Sequence, residues 1–281
     1  MEIIKFNQVV KKYKTFSLKE VSFKVEKGTI VGFIGENGAG KTTCLKALAG
    51  IINFDEGEIS LFETNIKDIT SAQREDVSFI IDETNFPEHF RISQVGVILK
   101  NLYKNWSSKL FNEYLIKYGL DKKKKIKELS KGMKAKLNIA IALSHNAKVL
   151  VLDEPTNGLD PVVRDEFLDL LLDYKENEGG TVLISSHLIN DLEKICDEVV
   201  FIHNGDIIFD DTKENILKSY KYYVIPKTEL ERFDQSIIVK SKVSGSKVEI
   251  LATTEKYDEF KEYEDDVTLE NIMIQIVRGK K

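Results

Sequence analysis

The stretch GENGAGKTT runs from Gly35 through Asn37, Gly38, Ala39 and Gly40 to Lys41, Thr42 and Thr43. It fits the pattern G-x-x-x-x-G-K-[ST]. Its glycines let successive backbone N–H groups curl around a polyphosphate, Lys41 can reach the β and γ phosphates, and Thr42 offers a hydroxyl to Mg²⁺. A second stretch, VLVLDEP from Val149 to Pro155, ends an apolar run in two carboxylates. A buried strand of this kind delivers Asp153 to the carboxyl end of a parallel sheet, where ligands collect, so Asp153 is the candidate to hold the Mg²⁺ shell. Glu154 is then the candidate to polarise an attacking water. Standing alone, the acidic pair could simply close a strand at the surface. A third stretch, KELSKGMKAK at 127–136, puts Ser130 and Gly132 at the first turn of an expected helix. Free N–H groups there can bind phosphate, and Ser130 can cap them; the two uses share the same donors.

The elements that must position these residues alternate. TIVGFI, Thr29 to Ile34, reads as an apolar strand running into the glycine-rich loop and then a helix through Leu48. Ahead of it, EIIKF and EVSFKV are short strand-like runs. Residues 90–145 read as mostly helical: Ile92, Val95, Leu99, Leu102, Tyr103 and Trp106 recur at helical spacing, and a second stretch of that kind follows Ser107 and Ser108 as its cap. KVLVLD, a Leu-rich helix from about Val163, TVLISS, a helix from about Ile189 and EVVFIH restore the alternation. A helical block thus interrupts a parallel-sheet domain. After about Tyr220 come short strands around a Ser-Gly turn and a final helix near 269–277, a small appendage.

Composition narrows the class. The chain has 281 residues, 42% of them hydrophobic, enough for one large domain with an appendage. Its 41 basic and 46 acidic residues leave a net charge of −5, no electrostatic ground for nucleic-acid binding. The N-terminus lacks a signal-peptide core, and no apolar run approaches the roughly 18 residues that span a bilayer. Cys44 and Cys196 form no CxxC pattern and read as ordinary buried thiols of a reducing compartment.

With the phosphate loop first, LSKGM (Leu129 to Met133) between, then VLVLDEP, NGLD (Asn157 to Asp160) and SSHL in that order, residues 3–218 resemble the ABC ATPase family. The resemblance implies a P-loop α/β fold with a RecA-like core, an antiparallel β subdomain and an inserted helical subdomain at about 83–145. The nucleotide-binding domain is expected over 1–220 and the α+β appendage over 221–281. It further implies that the signature residues Ser130, Lys131, Gly132 and Met133 face the γ phosphate held by a second ATPase subunit. His187, otherwise a core or loop histidine, becomes the γ-phosphate sensor. Tyr13, otherwise a core aromatic, becomes the ring stacked on adenine. Asp160, otherwise a helix cap before Pro161, becomes the residue that communicates across the dimer. Two departures stand out: Lys131 and Met133 replace a Gly and the Gln of the usual LSGGQ, and Asp82 in VSFIIDET stands where a metal-binding Gln is usual.

ABC ATPases also serve in chromosome, repair and translation proteins, but this chain has no long coiled coil between its motifs, one phosphate loop and no zinc cysteines. The stretches around LSKGM and SSHL are similar to ATP-binding subunits of bacterial ABC-2-type exporters of the antibiotic and peptide branch, including phenol-soluble-modulin exporters. The resemblance implies an ATPase using ATP and Mg²⁺, peripheral on the cytoplasmic face of the membrane, coupled to an ABC-2-type transmembrane subunit and a second ATPase subunit, with peptides, toxins or antibiotics as cargo. A soluble assembly ATPase without membrane partner and a non-hydrolysing regulatory subunit are the alternatives.

Overall fold

Whether a strand is buried on one face or both is written in its residues, and here the two kinds separate into different sheets. The computed structural model describes residues 1–81, 86–253 and 258–279. The chain divides into two compact units, Met1–Asp210 and Asp211–Lys281. In the first, β1 (Glu2–Lys12) and β2 (Ser17–Glu26) both mix buried and exposed side chains, as half-covered antiparallel strands do, with β2 close to regular alternation and β1 interrupted by register shifts. β3 (Ile30–Ile34) is buried at every position and leads through the phosphate loop into α1 (Lys41–Leu48). Next come β4 (Glu56–Leu61), β5 (Thr64–Asn65), α2 (Ser71–Glu75) and β6 (Val77–Ile80). The helical block holds α3 (Ile92–Leu102), α4 (Ser108–Lys117) and α5 (Lys131–Ser144). The alternation then resumes with β7 (Val149–Asp153), α6 (Pro161–Glu178), β8 (Thr181–Ser186), α7 (Ile189–Ile195), β9 (Glu198–His203) and β10 (Asp206–Thr212).

One sheet has the order β2-β1-β4-β5 and the other β10-β9-β3-β8-β7-β6. In the second, β3 lies parallel to β8 and β9, and β7 parallel to β6 and β8. Such pairing needs helical crossovers that cover the sheet, which is why β3, β7 and β8 are buried along almost their whole length. The register sets Asp153 opposite Ser185 and Ile34 opposite Ser186, so the carboxyl ends of β3, β7 and β8 meet at one rim.

The helical block has its own core of Ile92, Val95, Leu99, Phe111, Leu115 and Leu137. Gly96 lets α3 approach α4: a Cβ there would stand 2.7 Å from Phe111 Cε1. Ser107 caps α4 by accepting from Leu110 N at 3.2 Å. Leu102 departs from the expected face, being 67% exposed, because α3 stops there and Tyr103 is already extended. Tyr103 stacks instead on the buried His145, ring centroids 4.1 Å apart. No helix among the described residues is long and apolar enough to cross a membrane.

The second unit contains α8 (Lys213–Ser219), β11 (Tyr220–Pro226), β12 (Ile238–Ser244), β13 (Lys247–Thr253), β14 (Glu264–Asp265) and α9 (Leu269–Arg278). Its sheet runs β12-β13-β11-β14 around Tyr223, Ile225, Phe233, Ile250 and Phe260. The division at Asp210 and Asp211 falls within β10.

Candidate functional site

The phosphate loop is built by backbone conformations that only glycine adopts freely. Gly38 and Gly40 have φ of 83° and 120°. A Cβ at Gly35 would stand 2.5 Å from the Ile202 carbonyl, so the loop lies directly on the end of β9. The turn after β9 braces it: Gly205 N donates to Ala39 O at 3.0 Å. His203 Nδ1 lies 3.6 Å from Glu36 Oε2. Asn37 and Gly38 form the tip of the loop, Thr43 sits in the first turn of α1, and behind them Cys44 is buried, which pushes its thiol far above the ordinary range.

Lys41 is 5% exposed, and its ammonium donates to the carbonyls of Gly35 at 2.7 Å and Glu36 at 3.2 Å. It also stands 3.2 Å from Glu154 Oε1. Thr42 Oγ1 donates to Asp153 Oδ2 at 2.7 Å. His187 Nδ1 lies 2.6 Å from Glu154 Oε2, and His187 N donates to the same oxygen at 3.3 Å. Residues far apart in sequence thus form one cluster at the rim shared by β3, β7 and β8. Glu154 itself has φ of 49°, a left-handed conformation that costs a non-glycine residue about 1–3 kcal/mol. The turn that follows, Asn157 N to Glu154 O at 3.1 Å, holds it.

The sequence did not single out Ser185. Its hydroxyl donates to Asp153 Oδ1 at 2.6 Å and accepts from Glu154 N at 3.0 Å. The available signal was SSHL itself, a polar pair closing an apolar strand. Tyr13 is 47% exposed, so it is no core aromatic. Its ring stacks loosely on Phe16, centroids 6.5 Å apart, and a Cβ at Gly40 would stand 3.0 Å from Phe16 Cζ, which brings this aromatic pair to the side of the loop.

Ser130 and Asp160 are N-caps, accepting from Met133 N at 3.2 Å and from Val163 N at 3.1 Å. The starts of their helices touch: a Cβ at Gly132 would stand 2.4 Å from Val163 Cγ1, and one at Gly158 would stand 3.2 Å from Lys131 Nζ. The signature segment thus packs against the NGLD loop of its own chain, and Lys131 lines one cavity with Thr42, Asp153 and Glu154. Asp82 lies outside the described residues.

The residues present suit a magnesium nucleotide. Thr42 and Asp153 set two hard oxygens beside a loop of N–H donors, and Glu154 Oε1 is buried yet, among the described residues, accepts no hydrogen bond.

A family profile described as ABC transporter matches residues 18–157. The lantibiotic transport ATP-binding protein SrtF of Streptococcus pyogenes is 33% identical over 230 residues, 79% of this chain and 98% of that one. The bacitracin transport ATP-binding protein BcrA of Enterococcus faecalis is 32% identical over 241 residues, 85% of this chain and 77% of its own length. A solved ATP-binding subunit of an ABC transporter superposes with a TM-score of 0.68 at 26% identity, covering 76% of this chain and 91% of that one. The chain belongs to the ABC transporter ATP-binding proteins: it is an ATPase, the nucleotide-binding subunit of a membrane transporter.

Proposed function

We propose that this subunit powers a bacterial exporter through an ABC-2-type transmembrane partner, with antibiotics or peptides as the cargo class. The relatives named for bacitracin and lantibiotic transport support that cargo. The observation that carries the hydrolytic reading is the contact of Glu154 with both Lys41 and His187 at the mouth of the phosphate loop. Glu154 accepts the proton of the attacking water, and His187, bonded to its other oxygen, orients the carboxylate and meets the γ phosphate. Lys41 exchanges its loop carbonyls for phosphate oxygens, and the N–H groups of 35–43 hold the rest of the chain of phosphates. Tyr13 stacks on the base. Thr42 and Asp153, with Asp82 as a further oxygen, would hold Mg²⁺, which would supply positive charge beside the phosphates.

Ser130, Lys131, Gly132 and Met133 serve a second ATPase subunit, the same chain or a different one, by presenting a hydroxyl and helix-start N–H groups to its nucleotide. Asp160 communicates between the two. The membrane partner docks on the helical block near α3, where Val97 and Leu102 are 63% and 67% exposed, and this keeps the subunit at the cytoplasmic face. Residues 221–281 are an appendage to this engine, with α8 grouped beside them.

The test is the solution mass of Glu154→Gln with ATP and Mg²⁺, set beside the turnover of the unaltered chain. An ATP-dependent dimer with hydrolysis lost supports the reading. Turnover by the variant at the unaltered rate rejects Glu154 as the base. Copurification with a multispanning membrane protein tests the exporter assignment, and recovery from cytosol alone, without any such partner, rejects it.

A further inference from the structure

Two carboxylates with different work stand side by side in this site, and a single buried side chain touches both residues. Ser185 is fully buried near the end of β8, directly opposite Asp153 in the parallel register. A hydroxyl has one proton to give. Here it goes to Asp153 Oδ1 at 2.6 Å, so the bond from Glu154 N at 3.0 Å must be accepted by the same oxygen. The Ser185 carbonyl accepts from Glu154 N as well, at 3.2 Å.

Three consequences follow from that geometry. Asp153 is gripped at both oxygens, by β8 through Ser185 and by α1 through Thr42, and in both bonds it is the acceptor. Thr42 has then spent its proton on Asp153, which leaves its lone pairs available to a cation. Finally, Glu154 at φ 49° donates its N–H to Ser185 on β8, and its carboxylate is bonded to His187, the residue directly after that strand, so its backbone and its carboxylate are both fixed from the end of β8.

We propose that Ser185 is a positioning residue that sets Asp153 for metal holding and Glu154 for water activation at the same time. The inference rests on the roles given to those two carboxylates above. It predicts that loss of the hydroxyl weakens the metal and slows turnover together while leaving the phosphate loop's hold on nucleotide nearly intact.

The experiment compares Ser185→Ala, Ser185→Thr and Ser185→Val in the full chain. Thr keeps the hydroxyl, and Val matches the bulk of Thr without it, so this pair remains informative if the Ala variant fails to fold. Three quantities are read: ATP affinity by equilibrium binding, Mn²⁺ affinity of the ATP-bound chain by electron paramagnetic resonance, and kcat with KM. For Ser185→Ala and Ser185→Val the expectation is ATP affinity within about two-fold of the unaltered chain, Mn²⁺ affinity down about ten-fold and kcat down about ten- to a hundred-fold, as for lost orientation of an acid–base group. Ser185→Thr should restore both losses to within about three-fold. Unaltered Mn²⁺ affinity and kcat in the folded Val variant, or equal losses in Thr and Val, would overturn the proposal. Glu154→Gln measured alongside separates the two readings: normal turnover by that variant condemns the assignment of Glu154, whatever Ser185 does.

Discussion

Gly132→Ala adds one methyl group, and the structure says where it goes. Its Cβ would lie 2.4 Å from Val163 Cγ1, on the first turn of α6, while the next nearest atom, Val163 Cβ, is 3.5 Å away. Two opposed effects then act on stability. Replacing Gly by Ala in a helix gains about 1 kcal/mol. Overpacking a tight contact costs about 1–3 kcal/mol, and with about 2 as the middle value the substitution destabilises by about 1 kcal/mol. Val163→Ala removes the colliding methyl and keeps the Cβ at an ordinary distance. In that background the propensity gain stands alone, so the same Gly132→Ala should stabilise by about 1 kcal/mol. The double-mutant cycle therefore predicts a coupling of about 2 kcal/mol between two residues far apart in sequence. Urea unfolding reads it directly: with a slope of about 2.5 kcal/mol/M, the Gly132→Ala midpoint should fall by about 0.4 M alone and rise by about 0.4 M beside Val163→Ala. A shift of the same sign and size in both backgrounds would refute the reasoning, because it would mean that the signature turn does not rest on α6.

Three further outcomes follow from named groups. His145 is buried with its Nδ1 3.0 Å from Glu75 O, and burial holds its pKa below the ordinary 6.5. The unfolded chain then binds the proton more readily, so the contribution of His145 to stability is present above pH 6.5 and is lost as the pH falls below it; His145→Phe should flatten that part of a pH–stability curve measured by thermal melting. Asp160→Ala removes the cap on Val163 N and should cost about 1 kcal/mol in urea unfolding, whereas Asp160→Asn should cost far less. Cys44 and Cys196 are both buried, so a thiol reagent at pH 7 should label neither in the folded chain and both in denaturant.

How much of this was legible in the sequence depended on whether a feature is local. The phosphate loop, the VLVLDEP strand and the caps at Ser107, Ser130 and Asp160 each draw their physics from neighbours within a few residues, so spacing alone located them. The short helical stretch before Trp106 was legible as a helix but not in its extent. Periodicity names a face and cannot say where the chain turns away, and the extended Tyr103 leaves Leu102 in solvent. Tyr13 was ambiguous between a core ring and an exposed one because an aromatic suits either place; its 47% exposure resolves that.

What sequence could not show is register. Ser185 matters because β7 and β8 align Asp153 with it; a slip of one residue would put Ser186 or Ile184 there instead, and the composition of TVLISS would be unchanged. The same holds for the contact of Gly132 with Val163, which joins two helix starts from separate elements. These non-local contacts bear on the same short run of chain. From Glu154 to Asp160 it is closed by turns, Asn157 N to Glu154 O and Leu159 N to Thr156 O, and it ends in the cap of the helix on which the signature turn rests. A displacement of the start of α5 must therefore be absorbed within those few tightly turned residues or reach Glu154. The left-handed conformation of Glu154 leaves that residue little room to absorb it, since neighbouring φ values are costlier still for a side chain of its size.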